Sequence, residues 1–337
     1  MLRIYLKALC ELAGARDSVK FIALNDRVID TQDLQKSSNE RLTEWHVCNR
    51  QKLRFIRAVF SIGRRSNRLI CGHVAQLPVA LLAKIVNPHL RYYLVAHGIE
   101  VWRSFTAAEH LALRRAEQIF CVSEFTRQEL LRRCKLSAQR AVVLPNALDP
   151  SFDIRPSRNR DGGHPVILTV TRLINVHRYK GVEHLIEAMP AIRSAHPTAV
   201  LRVIGRGDDM DRLQRLRDKL GLQSSVQFLG YVDDTRISAE MQRCSLFALP
   251  SSQEGFGLVF VEAMAHGAPC IGARAGGIPE IITPETGTLV EYGNVAAIAD
   301  ACTDTLRRQW DEAAILARAG DFYYSRFKER LALLLEH

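Results

Sequence analysis

The sequence predicts an α/β protein made of two doubly wound domains, each with a parallel sheet covered by helices. Short apolar runs rich in β-branched and aromatic residues recur along the whole chain, and helix-like segments separate them. Strands that read as continuous apolar runs and alternate with helices are typical of parallel sheets buried on both faces. Residues 148–166 interrupt this alternation with Pro, Gly, Asp and Arg and no apolar period. We therefore expect domains over residues 1–152 and 153–337.

The elements of each domain follow from these runs. The first domain is expected to open with a helix in MLRIYLKALCELAGA. Its strands are predicted in VKFIAL (19–24), RLICGHV (68–74), RYYLVAHG (91–98), QIFCVSE (118–124) and RAVVLPNAL (140–148). Those of the second domain are predicted in PVILTVTRL (165–173), AVLRVIGRG (199–207), SVQFLGYV (225–232), CSLFALPSS (244–252), PCIGARAGG (269–277) and TGTLVEYG (286–293).

The composition is that of a folded protein, because 47% of the 337 residues are hydrophobic and 24% are charged. No apolar run approaches the roughly 20 residues of a membrane-spanning helix, and the first 20 residues carry charges throughout. We expect a cytoplasmic protein. Its eight cysteines are scattered without a Cys-x-x-Cys pair, which favours small core residues over zinc ligands or disulfides.

The positive charge is concentrated in the first half of the chain. Residues 1–155 carry 25 Lys or Arg and 14 Asp or Glu, a net +11, whereas the remainder carries −1. The stretch 45–68 has no acidic residue, and its apolar residues 53, 56, 59 and 60 follow helical spacing. We predict a basic amphipathic helix that meets an anionic membrane or lipid-linked substrate. The candidate residues are Arg50, Lys52, Arg54, Arg57, Arg64 and Arg65. A solvated helix face remains an alternative, while no motif for nucleic acid accompanies the charge.

The segment SSQEGFGLVFVEAMAHGAP, residues 251–269, contains two glutamates around a glycine pair. Gly255 and Gly257 allow the backbone to approach a ligand closely. The N-terminus of the helix that follows favours a phosphate, so we expect the ligand to contain a diphosphate. Glu254 would then accept hydrogen bonds from sugar hydroxyls, and Glu262, two turns into the helix, would suit a ribose diol. The alternative is that Glu254 favours the helix N-terminus and Glu262 faces solvent.

A second candidate cluster lies in VTRLINVHRYKGVEHLIEAM, residues 170–189. Arg172 ends a predicted strand, and Lys180 precedes a helix that begins near Gly181. Two cations at the carboxyl end of a strand could neutralise the charge that builds on a departing diphosphate.

Together these segments resemble the retaining GT-B glycosyltransferases of group 1, family four. The resemblance also includes ARAGGIPEII (273–282), AHG (96–98), CVSEFTRQEL (121–130) and LPNALD (144–149), and it spans roughly residues 1–335. It implies two Rossmann-like domains that face a central cleft, with the last helix packed back on the N-terminal domain. The spacing from Arg172 to Lys180, with RYKG at its end, is similar to members that assemble polysaccharides, including mannosyltransferases that use GDP-mannose.

The resemblance implies transfer of a sugar from a UDP- or GDP-sugar to a saccharide or lipid-linked acceptor, with retained configuration and without a metal or other cofactor. Arg172 and Lys180 would hold the diphosphate, Glu254 the sugar and Glu262 the ribose. His97 would face the anomeric region of the donor sugar, and the leaving phosphate would take the proton of the acceptor. The remaining donor-binding candidates are Gly255, Phe256, Gly257 and Leu258 for sugar and phosphate, and Gly205, Gly207, Tyr231 and Val232 for the nucleobase.

Members of the family usually begin with a strand and a glycine-rich loop, whereas this sequence begins in a helix, so that strand and loop are expected to be absent. A second hypothesis is therefore a non-catalytic protein that binds nucleotide sugars and docks on membranes, and a third is a GT-B epimerase. Asp209 and Asp211 resemble a metal-binding Asp-x-Asp, but they open a predicted helix, where acidic residues favour the N-terminus. A lone GRG or AGG does not predict a dinucleotide dehydrogenase.

Overall fold

The computed structural model describes residues 2–28, 34, 38–150, 152 and 164–336. The chain divides into two compact units, Met1–Asp149 with Tyr324–His337, and Pro150–Tyr323. Most of the predicted linker, residues 153–163, lies outside the described residues. Both units are α/β, and every strand pair is parallel, as the apolar runs predict.

The elements are numbered in chain order. The strands are β1 Val19–Ala23, β2 Leu42–Val47, β3 Arg68–Cys71, β4 Arg91–Ala96, β5 Gln118–Cys121, β6 Ala141–Val143, β7 Val166–Val170, β8 Val200–Ile204, β9 Val226–Gly230, β10 Leu246–Leu249, β11 Cys270–Ala273 and β12 Gly287–Val290. The helices are α1 Leu2–Leu12, α2 Lys52–Gly63, α3 Leu77–Val86, α4 Ala107–Arg115, α5 Glu124–Cys134, α6 Val182–Ala195, α7 Met210–Lys219, α8 Asp234–Arg243, α9 Leu258–Met264, α10 Val295–Arg307, α11 Glu312–Gly320 and α12 Tyr324–Glu336.

The first unit contains a four-stranded sheet in the order β3-β4-β5-β6 and a separate pair, β1-β2. The sheet presents Tyr93, Val95 and Phe120 to a core that also includes residues of α1 and α12. Within that core, the rings of Tyr5 and Phe327 meet edge to face at 4.9 Å. The last helix therefore completes the core of the first unit, although the second unit separates it from α1 in sequence.

The basic stretch 45–68 contains the helix that the spacing of residues 53–60 predicts, but that helix covers only the middle of the stretch. Trp45 lies in β2, which pairs with β1 through Phe21, and only Lys52–Gly63 is helical. Arg50 has a positive φ of 62° in the turn before α2. The strand was missed because LTEWHV mixes polar and apolar residues, yet its Thr, Trp and Val favour a half-buried strand. Arg64 and Arg65 follow the helix and are exposed, as are Lys52, Arg54 and Arg57.

The second unit has one six-stranded sheet in the order β12-β11-β10-β7-β8-β9. Its two central strands, β7 and β10, consist almost entirely of buried apolar residues, because helices cover both faces of a doubly wound sheet. The chain runs from β7 outward through β8 and β9, then returns to β10 and runs outward the other way. The strand order therefore reverses between β7 and β10.

All eight cysteines are buried and free, which confirms that they are core residues. In the described part of the chain, none of the helices combines the length and the apolar content that crossing a membrane requires.

Candidate active site

The loops that follow β7 and β10 lie side by side, because these strands are neighbours in the sheet. Ligands of open α/β sheets bind beyond the carboxyl ends of the strands where the strand order reverses. The Ser252 amide donates a hydrogen bond to the Tyr179 carbonyl at 2.8 Å, which joins the two loops. At Gly181, with φ +74°, a Cβ would lie 2.4 Å from the carbonyl oxygen of Pro250. Glycine at this position therefore permits the close approach of the two loops.

This approach places Lys180 against Glu254. The Lys180 Nζ atom lies 2.5 Å from Glu254 Oε1, and the two side chains are 16% and 14% exposed. The same ammonium lies 5.4 Å from the centroid of the Tyr179 ring. Arg172 is exposed at the start of the first loop, and its side chain has no ion pair with any residue that the structure describes. The two loops thus bring two cations and one carboxylate together, which leaves a net positive charge.

The segment ARAGG fixes the backbone of Glu254. The Gly277 amide donates to the Glu254 carbonyl at 2.8 Å. Gly276 has a φ of +58°, and a Cβ there would lie 2.3 Å from the same carbonyl oxygen. The glycine pair therefore holds the loop that carries Glu254 in a position that a larger residue would disturb.

Gly257, with φ +95°, turns the chain into α9, and a Cβ there would lie 2.8 Å from the Phe260 ring. The half-buried Gly255 and Leu258 flank this turn. Phe256 is buried, and its ring packs edge-on against Phe322 at 5.4 Å. The side chain of Phe256 therefore belongs to the core of the second unit.

Glu262 lies one turn after the start of α9, not two turns as the sequence predicts, because the helix begins only at Leu258. It is half-buried and makes no hydrogen bond to another described residue. Burial, and to a smaller extent the charge of Asp234, raises the pKa of the Glu262 carboxyl to about 7. Glu262 therefore changes its charge near neutral pH, and its carboxyl oxygens accept no hydrogen bond from the described residues.

The candidate nucleobase residues lie after β8 and β9. Cβ atoms at Gly205 and Gly207 would approach the carbonyl oxygens of Thr171 and Leu173 to 1.8 and 2.0 Å. Close packing of the two loops therefore accounts for these glycines without a ligand. Tyr231 is 71% exposed, and the half-buried Val232 follows it.

A cation lies beside the exposed Tyr231 ring. The Arg206 guanidinium carbon is 4.6 Å from the ring centroid, at the distance of a cation–π contact. The pair offers a flat aromatic face and several hydrogen-bond donors next to each other.

Asp209 is engaged by an arginine. Its two carboxylate oxygens accept hydrogen bonds from Arg212 at 2.6 and 2.7 Å, and Arg212 also contacts Glu183. Asp211 lies in the first turn of α7, where the helix dipole favours an acid. In the described residues, no three His, Cys, Asp or Glu side chains converge in a cluster that would hold a metal ion.

His97 follows β4 in the first unit. Its amide donates to Glu100 Oε1 at 2.5 Å, and Gly98 has a φ of +136°. Burial lowers the pKa of the His97 imidazole; Glu100 opposes this effect and His73 adds to it. His97 is therefore a neutral hydrogen-bonding group at pH 7.

His177 is a residue of the second unit that the sequence analysis missed. It lines a cavity of about 10 Å³ together with Arg172 and Lys180. Its Nδ1 atom is buried and has no hydrogen-bond partner among the described residues. The available signal was its position in VHRYKG, between the two candidate diphosphate ligands.

Two family models match the chain. The model for glycosyl transferases group 1 matches residues 151–321, about half of the chain, and the model for Glycosyltransferase Family 4 matches residues 18–152. The chain belongs to the group 1 glycosyltransferases. This result confirms the family that the Glu-x7-Glu, Arg172 to Lys180 and AGG segments predicted.

Several curated relatives of this glycosyltransferase act on phosphatidylinositol derivatives. The GDP-mannose-dependent alpha-(1-6)-phosphatidylinositol monomannoside mannosyltransferase of Mycolicibacterium smegmatis is 32% identical over 73% of this chain and 71% of its own length. The gpi3 subunit of the Schizosaccharomyces pombe phosphatidylinositol N-acetylglucosaminyltransferase is also 32% identical, over 49% of this chain and 35% of its own length.

The solved structures confirm the GT-B fold for this glycosyltransferase. The Anabaena Alr3699/HepE protein in complex with UDP matches with a TM-score of 0.81 and 21% identity, over 99% of this chain and 95% of that one. Sucrose-phosphate synthase from Thermosynechococcus elongatus matches with a TM-score of 0.77 and 22% identity, over 99% and 92%.

Proposed function

We propose that this glycosyltransferase moves a sugar from a UDP- or GDP-sugar to a saccharide or lipid-linked acceptor in glycoconjugate assembly, with retention of the anomeric configuration. The observation that carries the proposal is the convergence of Arg172, Lys180 and Glu254 where the strand order reverses. The relatives support it, because the M. smegmatis protein is named for GDP-mannose and a phosphatidylinositol acceptor.

In the proposed donor complex, the diphosphate lies between Arg172 and Lys180. Lys180 already holds a carboxylate oxygen at 2.5 Å, so a phosphate oxygen would compete with Glu254 for the same ammonium. Glu254 would then turn one or both oxygens to the hydroxyls of the donor sugar. The contact of Lys180 with phosphate and that of Glu254 with the sugar hydroxyls both involve a charged group, so both are stronger than neutral hydrogen bonds. The contact of Lys180 with phosphate becomes most favourable as the leaving diphosphate gains charge.

The other candidates complete the proposed donor site. The carboxyl group of Glu262 has acceptor positions for the two ribose hydroxyls, and the backbone of Gly255 to Leu258 would contact sugar and phosphate. We assign the neutral His97 to the anomeric region of the sugar. The proton of the acceptor would pass to the leaving phosphate, so no separate protein base is assigned, and no metal is required in this scheme.

We infer further that the first unit binds the cytoplasmic face of an anionic membrane as a peripheral protein. The exposed cations of α2 and its C-terminal turn supply the charge. Leu82 and Ile85 of α3 are 50% and 68% exposed, and the Asn87 side chain joins the ends of α2 and α3 by donating to the carbonyls of Gly63 and Ser66. Apolar and basic side chains are thus exposed on joined helices, the combination typical of interfacial binding.

A donor panel tests the transferase proposal. The purified chain would be incubated with UDP-glucose, UDP-N-acetylglucosamine and GDP-mannose, with and without phosphatidylinositol-containing vesicles, and nucleotide release would be measured. We expect binding and transfer with at least one donor. Absence of binding to all three would overturn the proposal, whereas binding without release would favour a non-catalytic donor-binding protein.

Sedimentation with vesicles of phosphatidylcholine containing phosphatidylglycerol tests the membrane proposal. We expect binding that falls with salt and with replacement of Arg54 and Arg57 by Gln. Neutralising the exposed Arg132 and Arg133 of α5 provides a control with the same change of charge. An equal loss in both variants would show that net charge and not α2 determines binding.

A further inference from the structure

His177 lies in the 3₁₀ segment Asn175–Lys180, between the two residues assigned to the diphosphate. The segment is kinked at His177 itself, whose φ and ψ of −107° and 22° are not helical. The kink leaves the imidazole ring 5.3 Å from the ring of Tyr179, which in turn lies below the Lys180 ammonium. His177 therefore shares the immediate surroundings of Lys180.

Charged groups approach His177 from each neighbouring element. They are Arg172 of the loop after β7, Arg178 and Lys180 of its own segment, Glu254 of the loop after β10, Glu183 of α6, and Asp209 and Arg212 of α7. Arg178 and Arg212 both pair with Glu183, Arg212 also pairs with Asp209, and Lys180 pairs with Glu254. Arg172 is the cation of this group without an ion pair to a described residue.

Neither ring nitrogen of His177 makes a hydrogen bond to a described residue. Nδ1 is buried without a partner, and Nε2 makes no hydrogen bond to a described residue either. A cavity of about 10 Å³ next to the ring is large enough for about one water molecule, which could satisfy Nδ1. Nε2 is then the nitrogen available to a ligand.

We propose that His177 is a third ligand of the donor diphosphate beside Arg172 and Lys180, and that it binds as an imidazolium after taking one proton from solvent. The proposal rests on the proposed function, since it requires a diphosphate donor between those two cations. It adds a donor-binding role at a residue that lies outside the Arg172, Lys180 and Glu254 set.

The direction of the pH effect follows from the surroundings. Without a donor, burial and then the charges of Arg172 and Lys180 lower the pKa of His177, so that it is neutral at pH 7. A bound diphosphate offsets those charges and favours the imidazolium. Donor affinity gained through His177 therefore rises as pH falls between the pKa values of the free and the bound protein, by at most about tenfold per pH unit for one proton.

The test compares donor affinity from pH 5.5 to 8.5 in the wild type, His177→Asn and His177→Gln. GDP-mannose and UDP-glucose are the probes, because a diphosphate diester does not itself titrate in this range. His184→Asn in α6 is the matched control, since that imidazole lies near Glu187 and outside the proposed site. Glu262 titrates in the same range but is present in all four proteins, so its effect cancels in the ratio of their affinities.

We expect the ratio of wild-type to His177→Asn affinity to rise from within about twofold at pH 8 to about fivefold at pH 6, with His184→Asn matching the wild type. A ratio that stays constant with pH would overturn the inference and leave the proposed function intact. A wild type that binds no nucleotide sugar would overturn both.

Calorimetry in buffers of different ionisation enthalpy gives a readout without any change at residue 177. In Glu262→Gln, which removes the other acid that titrates near pH 7, donor binding is expected to take up protons at pH 7. Binding without proton uptake in that variant would overturn the inference even if both His177 variants failed to fold.

Discussion

The two glutamates of EGFGLVFVE differ in what the fold provides for them. Glu254, in the loop before α9, has Lys180 at 2.5 Å and a backbone held by Gly276 and Gly277. Glu262, inside α9, has no hydrogen-bond partner among the described residues, and its pKa is raised to about 7. A carboxylate with a cation is stable before any ligand arrives, whereas one without a partner reduces the stability of the folded protein when it ionises.

Under the proposed function, the difference corresponds to two uses of an acid in one site. Glu254 would hold Lys180 in place before a donor binds and would exchange its partner when one does. Glu262 would gain its partners only from the donor, which would then offset the cost of this acid to folding. Substitutions that separate stability from donor binding should therefore act differently at the two positions.

Lys180→Ala should have the largest effect. It removes a cation from the proposed diphosphate site and leaves Glu254 without its ion pair, so we expect kcat/KM to fall by roughly 100- to 1,000-fold, or about 2.7 to 4 kcal/mol. Donor turnover is the measurement, and thermal unfolding checks the fold. The exposed Lys219 of α7 provides the control Lys219→Ala. Activity within threefold of the wild type would contradict the role of Lys180.

Gly276→Ala tests whether the backbone of Glu254 must be held. The new Cβ would meet the Glu254 carbonyl at 2.3 Å, so we expect turnover to fall by at least about tenfold with a loss of roughly 1 to 3 kcal/mol in stability. Gly221→Ala is a matched control, because Gly221 has a φ of +69° with nothing within 4 Å of a built Cβ. Equal losses in both variants would assign the effect to backbone strain alone.

Glu262→Gln should separate stability from donor binding. The pKa of Glu262 is raised from the ordinary value of 4.5 to about 7 in the folded protein. The free energy of unfolding of the wild type therefore falls as pH rises from 4.5 to about 7, because the unfolded chain ionises this acid more easily. The variant should therefore be more stable at pH 8, on the order of 2 kcal/mol, yet bind donors about tenfold more weakly.

Urea unfolding at pH 5 and pH 8 measures the first effect of Glu262→Gln, and donor titration measures the second. Glu329→Gln, at an exposed position of α12, should change neither. A variant that loses stability at pH 8 would show that Glu262 has a stabilising partner in the fold.

Much of this architecture was predictable, because buried parallel strands leave continuous apolar runs. Strand β2 could not be predicted in this way, since half of its residues are polar. Arg172, Lys180 and Glu254 could be selected as candidates by charge and position at strand ends. The arrangement of these three residues could not be predicted from the sequence. The contact between Lys180 and Glu254 spans 74 residues, and it depends on which strands are neighbours in the sheet.

Glycines and histidines were harder to interpret from sequence. Gly205 and Gly207 were assigned to a nucleobase site, which stays a prediction; the structure shows only that the carbonyls of Thr171 and Leu173 occupy the space that a Cβ would need. His177 carries no pattern of its own, because only the folded loop shows that its Nδ1 is buried without a partner. Such roles depend on local packing, which one-dimensional spacing does not encode.

The reversal of strand order between β7 and β10 has a consequence for folding kinetics. The two loops of the site emerge from the ribosome some 70 residues apart, and Val166 pairs through its amide with Ser245, 79 residues away. Contacts of such high sequence separation form late and slowly. A nascent chain that ends before β10 therefore lacks Glu254, and the contact between Lys180 and Glu254 cannot form on it.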